Sequence, residues 1–350
     1  MKKLNIYNML ILVIAAIALN ACGGGGESSS NTPVVKPNTI SLLGIVVDGY
    51  IKDAKVCLDI NSNGICEGTE PTTTTLADGT FSFTNVEVAD NLLLPVIVWG
   101  GTDIATNKPF KGELKNIVNS ATINNSTPII VTPLTDLIAV SFLQSTTKTQ
   151  EVLNNSQVEI AQIFNLPSAD ALADPMKNIT VFTKVQYLQQ IKGLIETTAS
   201  KAKGGTLSEA QKLILQNEIK EALVSQIKAT ADTNLEIDKV LNKIETLSNI
   251  VLPNNEKLLV TAQSNAIKNT LSTLSTTISL DKLDALQLGL EMEQELVYTK
   301  IKEAVDNTVL EVLASKDATQ LINLGATVEN TAPTVVVNAG LLTPPTTPRF

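Results

Sequence analysis

The spacing of hydrophobic residues changes near residue 133, which divides the chain into two parts. Before it, short apolar runs end at Gly, Asn or Asp. In one of them Val56, Leu58 and Ile60 alternate with polar positions, as in a half-buried strand. After it, apolar residues recur every three or four positions. We therefore predict a multidomain α and β protein: a small antiparallel β-sandwich over residues 39–133, followed by an all-α helical bundle over residues 134–324.

The helical part contains recognisable helix starts. Pro133 is typical of a first helical residue, and Thr206 with Glu209 forms a capping-box pattern before another helix. A further long helix is expected from about Asp281, and residues 325–350 form a Thr/Pro-rich C-terminal tail. The apolar stripes of these helices are typical of a core, although a stripe that lies on lipid or binds a partner helix has the same pattern.

The N-terminus has the pattern of a secretory signal. Lys2 and Lys3 precede an apolar run over residues 9–19, roughly half of the ~20 residues that a membrane-spanning helix needs. The run ends in Leu-Asn-Ala-Cys, which resembles the lipobox of bacterial (Gram-negative) lipoproteins. The resemblance implies a signal peptide over residues 1–21 and a covalent lipid, diacylglycerol and palmitate, on Cys22. An ordinary signal peptide followed by a chance cysteine is the alternative.

A Gly/Ser/Pro-rich segment over residues 22–38 follows and is expected to be a flexible tether. In the lipoproteins that the lipobox resembles, Gly rather than Asp after the cysteine favours the outer membrane. Two or more acyl chains anchor a protein stably, whereas a single chain does so only marginally. The expected partners are therefore the membrane, through the lipid anchor, and an unidentified envelope or extracellular protein. Whether the protein faces the periplasm or the cell surface is left open.

The composition excludes several kinds of chemistry. The 350 residues include no His, so a Ser-His-Asp triad and histidine metal ligands are excluded. A single Arg and a net charge of −9 argue against nucleic acid as a partner. Aromatic residues make up only 3% of the chain, which argues weakly against a surface on which sugars or bases stack.

Residues 59–70 fit a calcium-loop pattern at every defined position. Calcium takes six to eight oxygen ligands, which short side chains at alternate positions of a tight loop can supply. The predicted ligands are Asp59, Asn61, Asn63, the carbonyl of Ile65, Glu67 through water, and a chelating Glu70. Because few of these groups are charged, we expect weak Ca²⁺ affinity, ~10⁻⁴–10⁻³ M. A bare Asn/Gly-rich turn held by its own hydrogen bonds is the alternative.

Two cysteines flank the first half of this loop. Once Cys22 carries lipid, Cys57 and Cys66 are the remaining pair, and in an oxidising envelope they most simply form a disulfide. A redox-active or metal-binding pair is the alternative, although the spacing matches neither motif.

The loop and its surroundings resemble a known class of modules. Residues 44–71 and 77–83 are similar to prealbumin-like, carboxypeptidase-regulatory-like and Cna-B-like β-sandwiches of bacterial surface proteins and lipoproteins. Those modules are stalks, spacers or interaction domains. The resemblance implies a non-catalytic β-sandwich that carries the calcium loop.

The sequence predicts a lipid-anchored, non-enzymatic structural or interaction protein. One alternative is a carrier whose helices enclose an apolar ligand, and another is a hydrolase that uses Asp170 and Asp174 as its carboxylates. Three Ser-x-x-Lys patterns, including Ser145 with Lys148, occur about as often as chance predicts.

Overall fold

A computed structural model describes residues 38–283, except for residues 106, 124–125, 230–234, 275 and 277–278. The predictions for the signal peptide, for Cys22, for the tether up to residue 37, for the part beyond residue 283 of the long helix expected from about Asp281, and for the C-terminal tail lie outside this part.

The N-terminal part of the described chain consists of strands. They are β1 (Asn38–Val46), β2 (Ile51–Lys52), β3 (Lys55–Leu58), β4 (Thr72–Thr74), β5 (Thr80–Val88), β6 (Leu93–Trp99), β7 (Thr102–Asp103), β8 (Glu113–Asn119) and β9 (Ile129–Val131). They form sheets with the orders β5-β1-β9, β2-β7 and β4-β3-β6-β8. All pairings between named strands are antiparallel except that of β1 with β9, which is parallel.

Both faces of the four-stranded sheet are covered. Val56, Val96 and Val98 join Leu42 and Phe81 of the three-stranded sheet in one apolar cluster. The opposite face contributes to a second cluster, which is made mainly by the helices. This arrangement explains why the sequence of β6 is almost entirely apolar, since a strand buried on both faces has no polar side.

The strand predicted through Ile60 is wrong in two respects. β3 ends at Leu58, and Cys57, expected on an open face, is fully buried. Alternation failed here because the helical part covers the second face of the sheet, which the local pattern does not reveal.

The C-terminal part consists of helices. They are α1 (Pro133–Gln144), α2 (Gln150–Ile163), α3 (Ile179–Ala202), α4 (Glu209–Ala229), α5 (Ile237–Ser248) and α6 (Asn254–Leu274), with short 3₁₀ turns at Ser168–Leu172, Pro175–Lys177 and Leu280–Lys282. The described chain is therefore a mixed α/β protein, with mostly antiparallel sheets first and six α-helices after them.

The start of α4 lies two residues later than the capping-box prediction placed it. The Gln211 N–H donates to Ser208 Oγ (3.3 Å), and the Ser208 N–H donates to Gln211 Oε1 (2.9 Å). These reciprocal bonds make Ser208 and Gln211 the capping pair, while Glu209 forms an ion pair with Lys212 at 2.9 Å. The pattern S/T-x-x-E/Q occurs twice in succession here, and the folded chain uses the second.

The segment Thr-Pro-Leu-Thr-Asp at residues 132–136 joins the strands to the helices. Thr132 caps α1 by accepting the Thr135 N–H at 3.1 Å, and Pro133 is the first helical residue, as predicted. Thr135 Oγ1 also lies 2.9 Å from the Lys115 carbonyl of β8, to which it donates. The start of α1 is therefore held directly against the edge of the four-stranded sheet.

Asp136 forms a buried ion pair at this junction. Its Oδ2 lies 3.2 Å from Lys220 Nζ of α4, and both side chains are almost completely enclosed. Lys220 Nζ also donates to the Glu113 carbonyl of β8 at 3.3 Å. The partly buried Lys192 of α3 stands near the same carboxylate. Burial lowers the pKa of the Lys192 amine, and the negative charge of Asp136 opposes that effect. The ion pair thus links α1 to α4, and Lys220 in turn links α4 to β8.

We predict that Lys220→Met strongly destabilises the protein. The substitution leaves Asp136 buried without its partner, which costs about 3–5 kcal/mol of unfolding free energy. Urea unfolding followed by circular dichroism measures this loss.

Lys212→Met is the matched control, because the ion pair of Lys212 with Glu209 is exposed. It should leave the unfolding midpoint nearly unchanged. If the two variants unfolded at the same urea concentration, the Asp136 pair would not hold the junction.

Candidate functional site

The loop over residues 59–70 connects two antiparallel strands, β3 and β4. The Asp59 N–H donates to the Pro95 carbonyl of β6 (2.9 Å), and the Leu58 N–H donates to the Pro71 carbonyl (3.0 Å). Because both ends are hydrogen-bonded, the loop begins and ends at fixed positions on the four-stranded sheet. A strand on each side distinguishes it from an EF-hand, whose loop lies between helices.

The backbone of the loop wraps around the Asp59 carboxylate. The Gly64 N–H donates to Asp59 Oδ2 (2.6 Å), and the Asn63 N–H points to Oδ1 (3.3 Å). Gly64 has φ +82°, a conformation that side-chain-bearing residues rarely adopt, and this allows the turn. The Asp59 side chain is therefore fully enclosed at the base of the loop.

Glu70 reaches the same region from the other end of the loop. Its Oε1 accepts the Ile60 N–H at 2.9 Å, and its Oε2 accepts the Glu67 N–H at 3.0 Å. Glu70 is also buried, and its negative charge contributes to the raised pKa of Asp59, after the larger effect of burial. Two buried carboxylates at close range favour a bound cation, which would offset their repulsion.

The remaining predicted side chains close the loop on its outer side. Asn61 Nδ2 and Asn63 Nδ2 both donate to the Glu67 carboxylate, at 2.5 and 2.8 Å. The amide oxygens of the two asparagines accept the N–H groups of Asn63 (3.0 Å) and Ile65 (2.8 Å). The Ile65 side chain is 64% exposed. Five predicted ligand side chains thus meet in one loop, and the Asx hydrogen bonds of the alternative interpretation are present as well.

The predicted disulfide between Cys57 and Cys66 is confirmed. It joins Cys57, near the end of β3, to Cys66 in the middle of the loop. Both sulfurs lie within 4.8 Å of a Glu70 oxygen. Cysteine binds a metal ion as a thiolate, so the two disulfide-bonded sulfurs are not ligands. Of this group, only the Glu70 carboxylate can bind a cation.

The loop also contacts other parts of the protein. Ser62 Oγ donates to the Leu93 carbonyl of β6 at 2.9 Å. A Cβ atom added at Gly64 would lie 3.2 Å from Leu143 Cδ1 of α1. Nothing in the local motif indicates these contacts, which depend on how α1 lies against the sheet.

One of the two carboxylates proposed for a hydrolase, that of Asp174, has structural partners. Asp174 Oδ1 accepts the Met176 N–H (2.9 Å) and caps the second 3₁₀ turn, and its Oδ2 accepts the Tyr50 hydroxyl (3.0 Å). Asp170 lies in the first 3₁₀ turn. In the Ser-x-x-Lys pattern at residues 145–148, Lys148 Nζ donates to the carbonyls of Leu143 and Ser145, both at 2.6 Å, and so caps the end of α1.

Comparisons of the chain with protein-family models, with curated proteins and with solved structures find no match. Within the described residues, every helix is too short or too polar to cross a membrane.

We predict that reducing the disulfide lowers the stability of the protein. A bridge that closes a loop of this length contributes about 2.5–3 kcal/mol in the chain-entropy model. Unfolding curves of the oxidised and the reduced wild type measure the difference.

The control is the variant Cys57→Ala/Cys66→Ala, whose unfolding should not respond to the reductant. If the wild type unfolded at the same denaturant concentration in both redox states, the bridge would not constrain the loop.

Proposed function

We propose that this is a lipid-anchored cell-envelope protein of the Gram-negative outer membrane, which acts as a non-catalytic structural or interaction module. In this proposal Cys22 carries the lipid, and the loop over residues 59–70 binds Ca²⁺ weakly. The observation that carries the calcium part of this proposal is the pair of buried carboxylates, Asp59 and Glu70, held by backbone N–H groups inside one loop.

The donor chemistry of this loop supports calcium over a transition metal. The five side chains predicted as ligands offer only carboxylate and amide oxygens, which hard cations prefer. The loop is closed by a disulfide and by hydrogen bonds at both ends, so little ordering is required when the ion binds. On binding, the Asn61 and Asn63 oxygens would turn from the backbone towards the ion.

The architecture that we propose is a β-sandwich that carries a helical bundle. An apolar cluster shared by the two larger sheets supports the sandwich. A continuous apolar cluster contributed by all six helices supports the bundle. The proposed role is mechanical and adhesive: the β module positions the helices, and their outer faces meet a partner protein in the envelope or outside the cell.

Calcium binding is tested by calorimetric titration of the mature full-length protein. We expect saturable binding at ~10⁻⁴–10⁻³ M. At free calcium ten times Kd, the ion should stabilise the fold by about 1.4 kcal/mol, measurable as a rise in Tm. Asp59→Asn and Glu70→Gln should abolish both effects, because each removes a charged ligand while keeping a hydrogen-bond acceptor.

Asp90→Asn is the matched control, since Asp90 is exposed and lies outside the loop. It should bind calcium as the wild type does. Absence of binding in the wild type, at any millimolar concentration, would leave a disulfide-held turn and would contradict the metal assignment.

The lipid anchor is tested separately, by feeding expressing cells a clickable palmitate analogue. The wild type should take up the label and sediment with the membranes. Cys22→Ala should lose both properties, whereas Cys57→Ala/Cys66→Ala should keep them. A labelled Cys22→Ala variant, or an unlabelled wild type, would contradict the lipoprotein proposal.

A further inference from the structure

A cleft of about 870 Å³ lies beside the loop. One wall is formed by Gly64, Ile65 and Cys66, a second by the segment that follows β6 and leads into β8, and a third by the first turns of α4. This volume is within the ~300–1,000 Å³ that sites for small ligands occupy. No part of the function proposed above uses this cleft.

Apolar and aromatic surfaces line part of the cleft. Trp99, the single tryptophan of the chain, lies there with Phe110, and both rings are only partly buried. Leu213 of α4 is 40% exposed and lines the same space. The indole N–H of Trp99 has no hydrogen-bond partner within the described part of the chain. The scarcity of aromatic residues in the sequence therefore does not prevent an aromatic surface, because two of them share one cleft.

The charged groups of the cleft balance one another. Three lysines and three glutamates line it: Lys111, Lys115, Lys212, Glu113, Glu196 and Glu209. Lys115 is paired with Glu113 at 2.8 Å and Lys212 with Glu209 at 2.9 Å. Glu196 Oε2 accepts a hydrogen bond from Gln216 Nε2 at 3.2 Å. A lining without net charge gives no electrostatic attraction to a nucleotide, a phosphate or a strongly charged peptide.

The cleft does not offer a free strand edge to a peptide. The strand nearest to it, β8, pairs with β6 on one side. On the other side, the Glu113 carbonyl accepts Lys220 Nζ and the Lys115 carbonyl accepts Thr135 Oγ1. Because these backbone groups are already bonded, an extended peptide could not add a strand here.

We propose that this cleft binds a neutral oligosaccharide. The C–H faces of a sugar ring pack against aromatic rings, and its hydroxyl groups both donate and accept hydrogen bonds. The cleft combines Trp99 and Phe110 with amides and ion-paired groups that can do the same, including Gln216 and Asn217. A ligand of this class needs no charge complementarity, and it is abundant at cell surfaces. The cleft thus gives the β module and α4 a common ligand.

The test uses Trp99 as its own reporter. The mature full-length protein is titrated with neutral tetrasaccharides of glucose, galactose, mannose and N-acetylglucosamine, while the emission of its single tryptophan is recorded. We expect a saturable change with at least one of them. Calorimetry then measures the variants: Trp99→Ala should weaken binding roughly ten- to hundred-fold, and Trp99→Phe should recover part of the loss.

Two adjacent residues of α4 provide a matched pair. Leu213→Ala should weaken binding several-fold, because Leu213 lines the cleft. Ile214→Ala should have no effect, because Ile214 is 56% exposed and does not line it. Circular dichroism and unfolding curves establish that each variant is folded.

Three results would overturn the proposal. The first is that none of the tetrasaccharides binds the wild type at millimolar concentration. The second is that binding is equal in the wild type, Trp99→Ala and Leu213→Ala. The third is that an uncharged peptide library binds with the expected variant pattern while the saccharides do not, which would assign the cleft to peptides. None of these results depends on calcium binding, which the titration above measures independently.

Discussion

The ion pair between Asp136 and Lys220 fixes how the strands and the helices of this protein meet. Two charges removed from water are stable only when each faces the other. The ion pair therefore brings together the start of α1, the middle of α4 and the edge of β8. Apolar packing alone would tolerate small displacements of these elements, since it has little directionality. The ion pair and the hydrogen bond from Thr135 Oγ1 to the Lys115 carbonyl of β8 restrict that freedom.

This junction also determines the surroundings of the loop over residues 59–70. The loop is closed locally by its disulfide and by the β3–β4 pairing, but one side of it lies against Leu143 of α1. The cleft beside the loop is bordered by α4, which Lys220 holds to β8. The proposed calcium site is therefore a local structure, whereas the cleft exists only because two distant segments are held together.

Several features could be predicted because they depend on neighbouring residues. The calcium-type spacing, the Cys57–Cys66 disulfide and the start of α1 at Pro133 all involve groups close together in sequence. Other predictions failed. The α4 cap lies at Ser208 rather than at Thr206, because two overlapping S/T-x-x-E/Q patterns occur here and the folded chain uses the second. Cys57 is buried because helices cover a sheet face that local alternation presents as open.

The sequence by itself determined the secondary-structure classes, the order of strands before helices, and the set of oxygen-bearing side chains in the loop. These follow from periodicity and from short-range geometry. Only the tertiary structure decided that Lys220 is buried, that Asp174 accepts a hydrogen bond from Tyr50, and that Trp99 lies with Leu213 in one cleft. The physical reason is that each of these depends on a contact between residues more than a hundred positions apart or on different elements, and the energy of such contacts leaves no local pattern in the chain.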